Sequence, residues 1–222
     1  FDISQSENIE GFIDDASNEL GGNLDCIVNN AGITQDNLSI RMSLDEWKKV
    51  MELNLNATFY CCKAIVPHMI DKNYGRIVNV ASNAHIGAEV DYANINCEKS
   101  FSAWTSYCVS KLMNIMFTYQ LASMQDKVSV NVLHPGFVDT NIAGNEGNLI
   151  KYIVKFGAKM FARTVDNGAD SSIYLSTSDE VQGVSGKYFF KCREIRSSRA
   201  SYIEEDWQKV WDLCSEYKNK LI

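Results

Sequence analysis

The chain has 222 residues, a formal net charge of −7 and a hydrophobic content of 45%. This length is typical of one domain with a substantial core, and the acidic balance argues against nucleic acid as a partner. The seven cysteines are scattered and odd in number, which favours free thiols in a reducing compartment. Together with three dispersed histidines they form no metal-ligand pattern, so no metal is expected.

Nothing in the sequence suggests a membrane span. No apolar run approaches the ~20 residues that a spanning helix requires, and residues 1–4 do not resemble a signal peptide. We therefore expect a cytoplasmic protein with a single domain over residues 1–222. Membrane association is expected only if a further segment precedes Phe1.

Strand and helix patterns alternate along the chain, which predicts an α/β fold with a parallel sheet. The predicted strands cover residues 1–3, 24–28, 76–81, 128–133 and 186–190. The predicted helices cover residues 4–20, 45–70, 103–124 and 167–175, followed by a last helix after residue 201. Capping-box signatures predict three helix starts, at Ser4-x-x-Glu7, Ser43-x-x-Glu46 and Ser201-x-x-Glu204.

Two apolar stretches leave their role open. Residues 142–163 fit a substrate-covering segment and a core helix equally well, because their apolar residues follow a mixed spacing. The last helix has one apolar face, which suits the core better than it suits a cover over the substrate or a contact with a second subunit. That face consists of Trp207, Val210, Trp211, Cys214, Tyr217 and Leu221.

The predicted chemistry is centred on Ser82, Tyr107 and Lys111. Ser82 follows a predicted buried strand, and open α/β sheets bind ligands at the carboxyl ends of their strands. Tyr107 and Lys111 are four residues apart in a predicted helix, so their side chains leave it on one face. A nearby ammonium lowers the pKa of a tyrosine from its usual ~10. The serine can then hold a substrate oxygen while the tyrosine exchanges its proton, which predicts proton transfer coupled to hydride transfer.

These residues, together with Asn29–Gly32, Asn54 and Pro135–Gly136, resemble the short-chain dehydrogenase/reductase family over nearly the whole chain. Residues 25–82 are most similar to 3-oxoacyl-carrier-protein reductases, whereas residues 83–222 resemble the retinol dehydrogenase-like branch. The resemblance implies a Rossmann-like, doubly wound parallel sheet. It also implies NADP or NAD as the cofactor, and the retinol dehydrogenase-like branch favours NADP.

The resemblance assigns a role to each residue of the predicted site. Tyr107 is implied to be the acid or base, Ser82 to bind the carbonyl, and Lys111 to hold the cofactor ribose. Asn54 is implied to hold a water in a proton relay, with a simple packing role as the alternative. The implied cofactor contacts are Asp2, Asn30, Ala31, Gly32, Tyr107, Lys111, Pro135, Gly136 and Thr140.

The glycine-rich turn that the family uses to bind pyrophosphate is missing from the sequence. The glycines near residues 21, 144 and 183 do not lead from a strand into a helix and are typical of turns. The fold is therefore expected to lack the first strand, the glycine-rich turn and the second strand. In the strand order 3-2-1-4-5-6 this leaves a gap beside the strand at 24–28. We expect the chain to be a fragment that lacks roughly 30 or more upstream residues.

Three functions are compatible with these patterns. The first is an NAD(P)(H)-dependent oxidoreductase that interconverts a carbonyl and an alcohol on a hydrophobic, retinoid-like aldehyde, ketone or alcohol. The second is a 3-oxoacyl-carrier-protein reductase, and the third is a catalytically silent, truncated scaffold. The expected partner is a small-molecule substrate, and a homo-oligomer is also compatible with the sequence.

Overall fold

A five-stranded sheet forms the centre of the computed structural model, which describes residues 1–22, 24–33, 44–95, 102–136 and 164–220. The strands lie in the order β1-β2-β3-β4-β5. They are β1 Cys26–Asn29, β2 Arg76–Val80, β3 Ser129–Leu133, β4 Tyr188–Phe190 and β5 Arg193–Ile195. The strands β1 to β4 are parallel to one another, and β5 is antiparallel to β4.

Helices alternate with the strands along the chain. They are α1 Ile9–Glu19, α2 Leu44–Met51, α3 Ala57–Asp71, α4 Ala103–Ser123, α5 Val165–Thr177 and α6 Glu204–Lys220. A π-helical segment, Glu52–Asn56, joins α2 to α3 without a break. Short 3-10 helices cover Ser6–Asn8, Asn83–His85, Tyr92–Asn94, Asp179–Val181 and Arg199–Tyr202.

The sheet has an apolar core on each face, because neighbouring residues of a strand point to opposite sides. Ile77 and Val130 pack into the larger core, which contains α1, α3, α4 and α6. Val78 and Leu133 pack into the smaller one, which includes Leu175 of α5. Helices on both faces of a mainly parallel sheet confirm the predicted Rossmann-like, doubly wound fold.

The strand predicted at residues 1–3 is wrong. The amide of Ser4 donates to the Asp2 carboxylate at 2.9 Å, and the amide of Gln5 donates to the Asp2 carbonyl at 3.1 Å. These bonds fold the segment into a turn and leave no ladder of strand hydrogen bonds. Within the described residues the sheet is therefore continuous, with β1 at one edge, and it shows no gap beside residues 24–28.

Two of the predicted capping boxes are also wrong. The first α-helix begins at Ile9 rather than near Ser4, since the 3-10 turn Ser6–Asn8 precedes it. The hydroxyl of Ser201 is buried and donates to the Ser198 carbonyl at 2.7 Å, so it does not cap α6. The third predicted cap, Ser43, lies outside the described residues, although the helix that it was expected to start is present.

The last helix contributes to the core of its own chain. The indole of Trp211 stacks on Phe117 with 5.9 Å between ring centroids and meets the edge of Phe59 at 5.2 Å. Trp207 contacts Tyr119 at 5.5 Å. These contacts with α3 and α4 support the core role for the described part of the apolar face, in which Trp207 and Trp211 are half-buried against the larger core.

The described residues contain no helix that is both long and apolar enough to cross a membrane. Six of the seven cysteines are described, and all six are free thiols: Cys26, Cys61, Cys62, Cys108, Cys192 and Cys214.

Candidate active site

Ser82 lies just beyond the carboxyl end of β2, as the sequence predicts. Its backbone is still extended, with φ −149° and ψ 151°, and its hydroxyl oxygen accepts a hydrogen bond from the Ala84 amide at 3.2 Å. That bond makes Ser82 the cap of the 3-10 turn Asn83–His85. Because the bond uses only an acceptor lone pair of the hydroxyl, the Ser82 proton stays free to be donated.

Tyr107 and Lys111 lie on α4, whose start is fixed by a side-chain cap. The hydroxyl of Ser102 accepts from the Thr105 amide at 3.1 Å. Tyr107 follows in the second turn, where the Ser82 side chain lies near enough to its hydroxyl to influence its pKa. Lys111 is one turn further on, with its Nζ 5.9 Å from the centre of the Tyr107 ring. The helix therefore brings the three predicted residues together.

Lys111 is a buried cation. Only 5% of its surface is exposed, and its Nζ donates to the Val80 carbonyl at 2.9 Å. Val80 is the last residue of β2, so this bond ties α4 to the strand that delivers Ser82. Burial lowers the pKa of Lys111 to about 8, because the apolar surroundings disfavour the charged form.

The pKa of Tyr107 differs from the sequence-based prediction. Burial of the phenol raises the pKa, and the hydrogen bond from Ser82 only partly opposes that effect. The Lys111 ammonium was expected to lower the pKa of Tyr107, but it points to the Val80 carbonyl. A neutral phenol is consequently the form of Tyr107 at pH 7 in this structure.

Asn54 lies in the π-helical segment and is completely buried. Its side-chain oxygen accepts from the Ile33 amide at 2.8 Å. Its nitrogen donates to the Ile33 carbonyl at 3.0 Å and to the Ser110 hydroxyl at 3.1 Å. The amide thus clamps the turn after β1 onto α4, next to Tyr107 and Lys111. The relay role stays a prediction, whereas this packing role is visible in the contacts.

Gly32 connects the turn after β1 to the same cluster. A Cβ atom at this position would lie 3.1 Å from the Asn54 side-chain oxygen and 3.4 Å from the Lys111 Nζ. Such contacts are tight, so glycine is what allows the turn to approach the buried lysine. Asn30 and Ala31 precede it on the exposed part of the turn.

The remaining predicted cofactor contacts fall in three places. Pro135 and Gly136 follow β3, and Gly136 has a φ of +82° and donates its amide to the His134 ring at 3.2 Å. Asp2 lies in the amino-terminal turn, and its carboxylate accepts from the Ser4 amide rather than from a residue of the cluster. Thr140 and the apolar stretch 142–163 lie outside the described residues.

Two further polar residues belong to the site but were not predicted to have a role. Ser110 accepts from Asn54 and donates to the Tyr107 carbonyl at 2.8 Å. His85 contacts the Ser82 carbonyl with its ring nitrogen at 2.7 Å. Both are polar residues at buried positions, and polar residues that interrupt an apolar pattern are the signal that could have identified them.

A family model described as short chain dehydrogenase matches residues 1–149. Retinol dehydrogenase 14 from Homo sapiens is 34% identical over 194 residues, which cover 86% of this chain and 57% of that protein. The 3-oxoacyl-[acyl-carrier-protein] reductase FabG of Buchnera aphidicola is 34% identical over 156 residues, covering 69% of this chain and 59% of that protein. The chain thus spans somewhat more than half the length of these relatives.

Among solved structures, a gluconate 5-dehydrogenase from Burkholderia cenocepacia in complex with NADP and tartrate has a similar fold. The TM-score is 0.67 at 22% identity, and the match covers 86% of this chain and 71% of that chain. The sheet and these matches define a Rossmann-like α/β protein. The chain belongs to the short-chain dehydrogenase family.

Proteins of this family use NAD or NADP, and part of the described site fits such a cofactor. A ribose presents hydroxyl groups, which the Lys111 ammonium and the Tyr107 hydroxyl can bind. The glycine at position 32 leaves room beside Lys111 where a larger residue would press on it. These residues suit the nicotinamide riboside half of the cofactor.

Proposed function

We propose that the protein is an NAD(P)(H)-dependent oxidoreductase that interconverts a carbonyl and an alcohol. The observation that carries this proposal is the convergence of Ser82, Tyr107 and Lys111 at the carboxyl end of β2. The buried Lys111 is the most informative member, since an ammonium with a strongly lowered pKa is more common at functional sites than in ordinary cores.

In the proposed reaction Ser82 donates its hydroxyl proton in a hydrogen bond to the substrate oxygen. Tyr107 transfers its phenolic proton to that oxygen when a carbonyl is reduced and takes a proton back when an alcohol is oxidised. Lys111 and Tyr107 hold the ribose of the cofactor, and Asn54 keeps the turn at Gly32 against Lys111. The cofactor, when bound, supplies or accepts the hydride.

The protonation of Tyr107 suits the direction of carbonyl reduction. Burial raises the pKa of the phenol, so the group carries its proton at pH 7 and is ready to act as an acid. Alcohol oxidation needs the phenolate, and its rate is therefore expected to increase as the pH rises above 7.

Two substrate classes are supported by similarity. The identity of 34% to retinol dehydrogenase 14 favours a hydrophobic, retinoid-like aldehyde or alcohol. The likeness to FabG favours a 3-oxoacyl thioester as the second candidate. The NADP complex of the structural neighbour supports NADP as the cofactor.

Replacing Tyr107 by Phe tests the proposed function. The variant keeps the ring but loses the transferable proton, so we expect turnover to fall by at least ~100-fold, in line with general acid catalysis. Tyr74→Phe is the matched control, because Tyr74 is 40% exposed in the loop between α3 and β2, and its activity should be unchanged. Turnover that survives the loss of the Tyr107 hydroxyl would refute the assignment.

The substrate class is tested by comparing steady-state rates with all-trans-retinal and with an acetoacetyl thioester. A higher kcat/KM for retinal supports the retinoid-like class, and a higher value for the thioester supports the acyl-carrier-protein reductase. The absence of turnover with either compound, together with the absence of cofactor binding, is the outcome that the scaffold alternative predicts.

A further inference from the structure

His85 joins the turn that carries Ser82 to a distant part of the chain. Its side chain is 1% exposed, and its Nδ1 lies 2.7 Å from the Ser82 carbonyl. On the other side of the ring, Nε2 accepts the Ser198 backbone amide at 3.0 Å. Because Nε2 accepts a hydrogen bond, it carries no proton; Nδ1 is then the protonated nitrogen that donates to the Ser82 carbonyl, and the ring is neutral.

The ring of His85 is also fixed by packing. Tyr188 of β4 meets it edge to face, with 5.2 Å between the ring centroids, and the Tyr188 hydroxyl is 3.5 Å from Nδ1. Tyr188 is itself 2% exposed. Burial keeps the pKa of His85 below its ordinary value, so the ring does not gain the second proton that would eliminate the bond from Ser198.

The backbone of Ser82 therefore depends on two elements that lie more than 100 positions away in sequence. Its carbonyl accepts the His85 amide at 3.2 Å and the His85 ring at 2.7 Å, while its hydroxyl accepts the Ala84 amide. The first and third bonds are local to the turn. The ring of His85 connects the turn to β4 and to the segment that precedes α6.

We propose that His85 is a positioning residue, which holds the Ser82 hydroxyl where it can hydrogen-bond the substrate oxygen that exchanges a proton with Tyr107. This inference rests on the proposed function. A displacement of a reacting group by ~1 Å can reduce a rate by ~100-fold, so the loss of a bond to the Ser82 backbone is expected to affect turnover more than folding.

Three substitutions separate positioning from simple structural support. The amide nitrogen of asparagine occupies the place of Nδ1, so His85→Asn keeps the bond to Ser82 and loses the one to Ser198. The amide oxygen of glutamine occupies the place of Nε2, so His85→Gln keeps the bond to Ser198 and loses the one to Ser82. His85→Phe keeps only the ring packing against Tyr188. His68→Asn is the control, since His68 is a half-buried histidine on α3 that pairs with Asp14.

We expect His85→Gln and His85→Phe to lower kcat by at least ~10-fold with little change in the KM for the cofactor, because a positioning bond to the backbone is lost. His85→Asn should retain kcat within ~3-fold even if its thermal midpoint falls, since the bond to Ser82 remains. Equal losses of kcat in the Asn and Gln variants, or losses that follow the thermal midpoint alone, would overturn the positioning role.

Amide hydrogen exchange of residues 82–86 provides a readout that does not need activity. Exchange of this segment should accelerate in the Gln and Phe variants and stay near the wild-type rate in the Asn variant. If the wild-type protein shows no turnover, the proposed function fails. If instead the Gln variant exchanges like wild type while Tyr107→Phe is inactive, only the inference about His85 fails.

Discussion

At the residue scale, burial shifts the pKa values of Tyr107 and Lys111 in opposite directions. It raises the pKa of the Tyr107 phenol and lowers that of the Lys111 ammonium to about 8. Both shifts favour neutral forms, as expected of an apolar environment. At pH 7 the tyrosine is consequently neutral, while the lysine still carries its charge at a cost to folding.

Replacing Lys111 by Met should stabilise the protein at pH 7. A shift from the ordinary pKa of 10.5 to about 8 corresponds to on the order of 3 kcal/mol, and the lost bond to the Val80 carbonyl offsets part of this. We expect a net gain of ~1–2 kcal/mol in the free energy of unfolding, measured by urea denaturation.

The pH dependence of this gain has a defined sign. Between pH 8 and 10.5 the unfolded chain binds a proton at Lys111 that the folded protein has released, so wild-type stability rises relative to the variant in this window. The gain from Lys111→Met should therefore be full below pH 8 and shrink by pH 10. Lys187→Met is the control, because Lys187 has a 46% exposed side chain. A gain that does not change with pH would contradict the prediction.

At the element scale, the aromatic contacts of α6 predict how firmly this helix is held. Trp211 packs between Phe59 and Phe117, which belong to α3 and α4. Trp211→Ala should reduce the free energy of unfolding by ~2–3 kcal/mol, since a large half-buried ring and its stacking are lost together. Guanidinium denaturation measures the change.

Trp104→Ala is the matched control for this substitution. Trp104 is 64% exposed on α4, so its removal should change the free energy of unfolding by less than ~0.5 kcal/mol. Similar losses in the two variants would indicate that α6 does not contribute to the core through Trp211.

The long, strongly apolar elements could be predicted from the sequence, and the short polar ones could not. The strand at 128–133 and the helix at 103–124 agree with the structure to within one residue at each end, because their apolar residues are numerous. The hairpin β4–β5 was missed in part because its two turn residues, Lys191 and Cys192, have positive φ values of 50° and 57° without being glycine or asparagine. The Cys192 amide donates a tertiary hydrogen bond to the Ser171 hydroxyl at 3.0 Å, and no local pattern reveals such a bond.

The π-helical segment is a further feature that sequence patterns do not reveal. Its i→i+5 bonds need no special composition, so the predicted helix at 45–70 ran through it. Asn54 lies in this wider turn, on the buried face of the helix, where it bonds Ile33 and Ser110. Interruptions of this kind are common at functional sites, which is consistent with the predicted role of this asparagine.

At the scale of the whole molecule, the predicted site residues are brought together by the parallel sheet. The turns after β1, β2 and β3 carry Gly32, Ser82 and Gly136, and parallel strands place their carboxyl ends at the same edge. This convergence could be predicted from the order of elements. The contact between His85 and Ser198 could not, because it spans 113 positions and depends on the final arrangement of β4 and α6. The single domain over residues 1–222 stays a prediction.

Cofactor binding by the whole chain separates an oxidoreductase from a silent scaffold. The ring centroids of Trp104 and Tyr107 are 6.0 Å apart. The fluorescence of Trp104 should therefore report a nicotinamide cofactor that reaches the site. We expect NADP to quench the emission in a saturable way. At 100 times the dissociation constant it should stabilise the fold by ~2.7 kcal/mol, through binding to the folded state alone.

Two variants make this titration decisive. Trp104→Phe should lose most of the fluorescence signal but keep the thermal stabilisation by NADP, since Trp104 is a reporter at the surface. Lys111→Met should lose both the quenching and the stabilisation by NADP, because the ammonium that would hold the ribose is gone. Unfolding does not explain such a loss, since this variant is expected to be more stable than wild type. Stabilisation by NADP that persists in Lys111→Met would show that the cofactor binds elsewhere. The absence of quenching and stabilisation in the wild type would favour the scaffold, since a site that cannot retain the hydride donor cannot perform the proposed reaction.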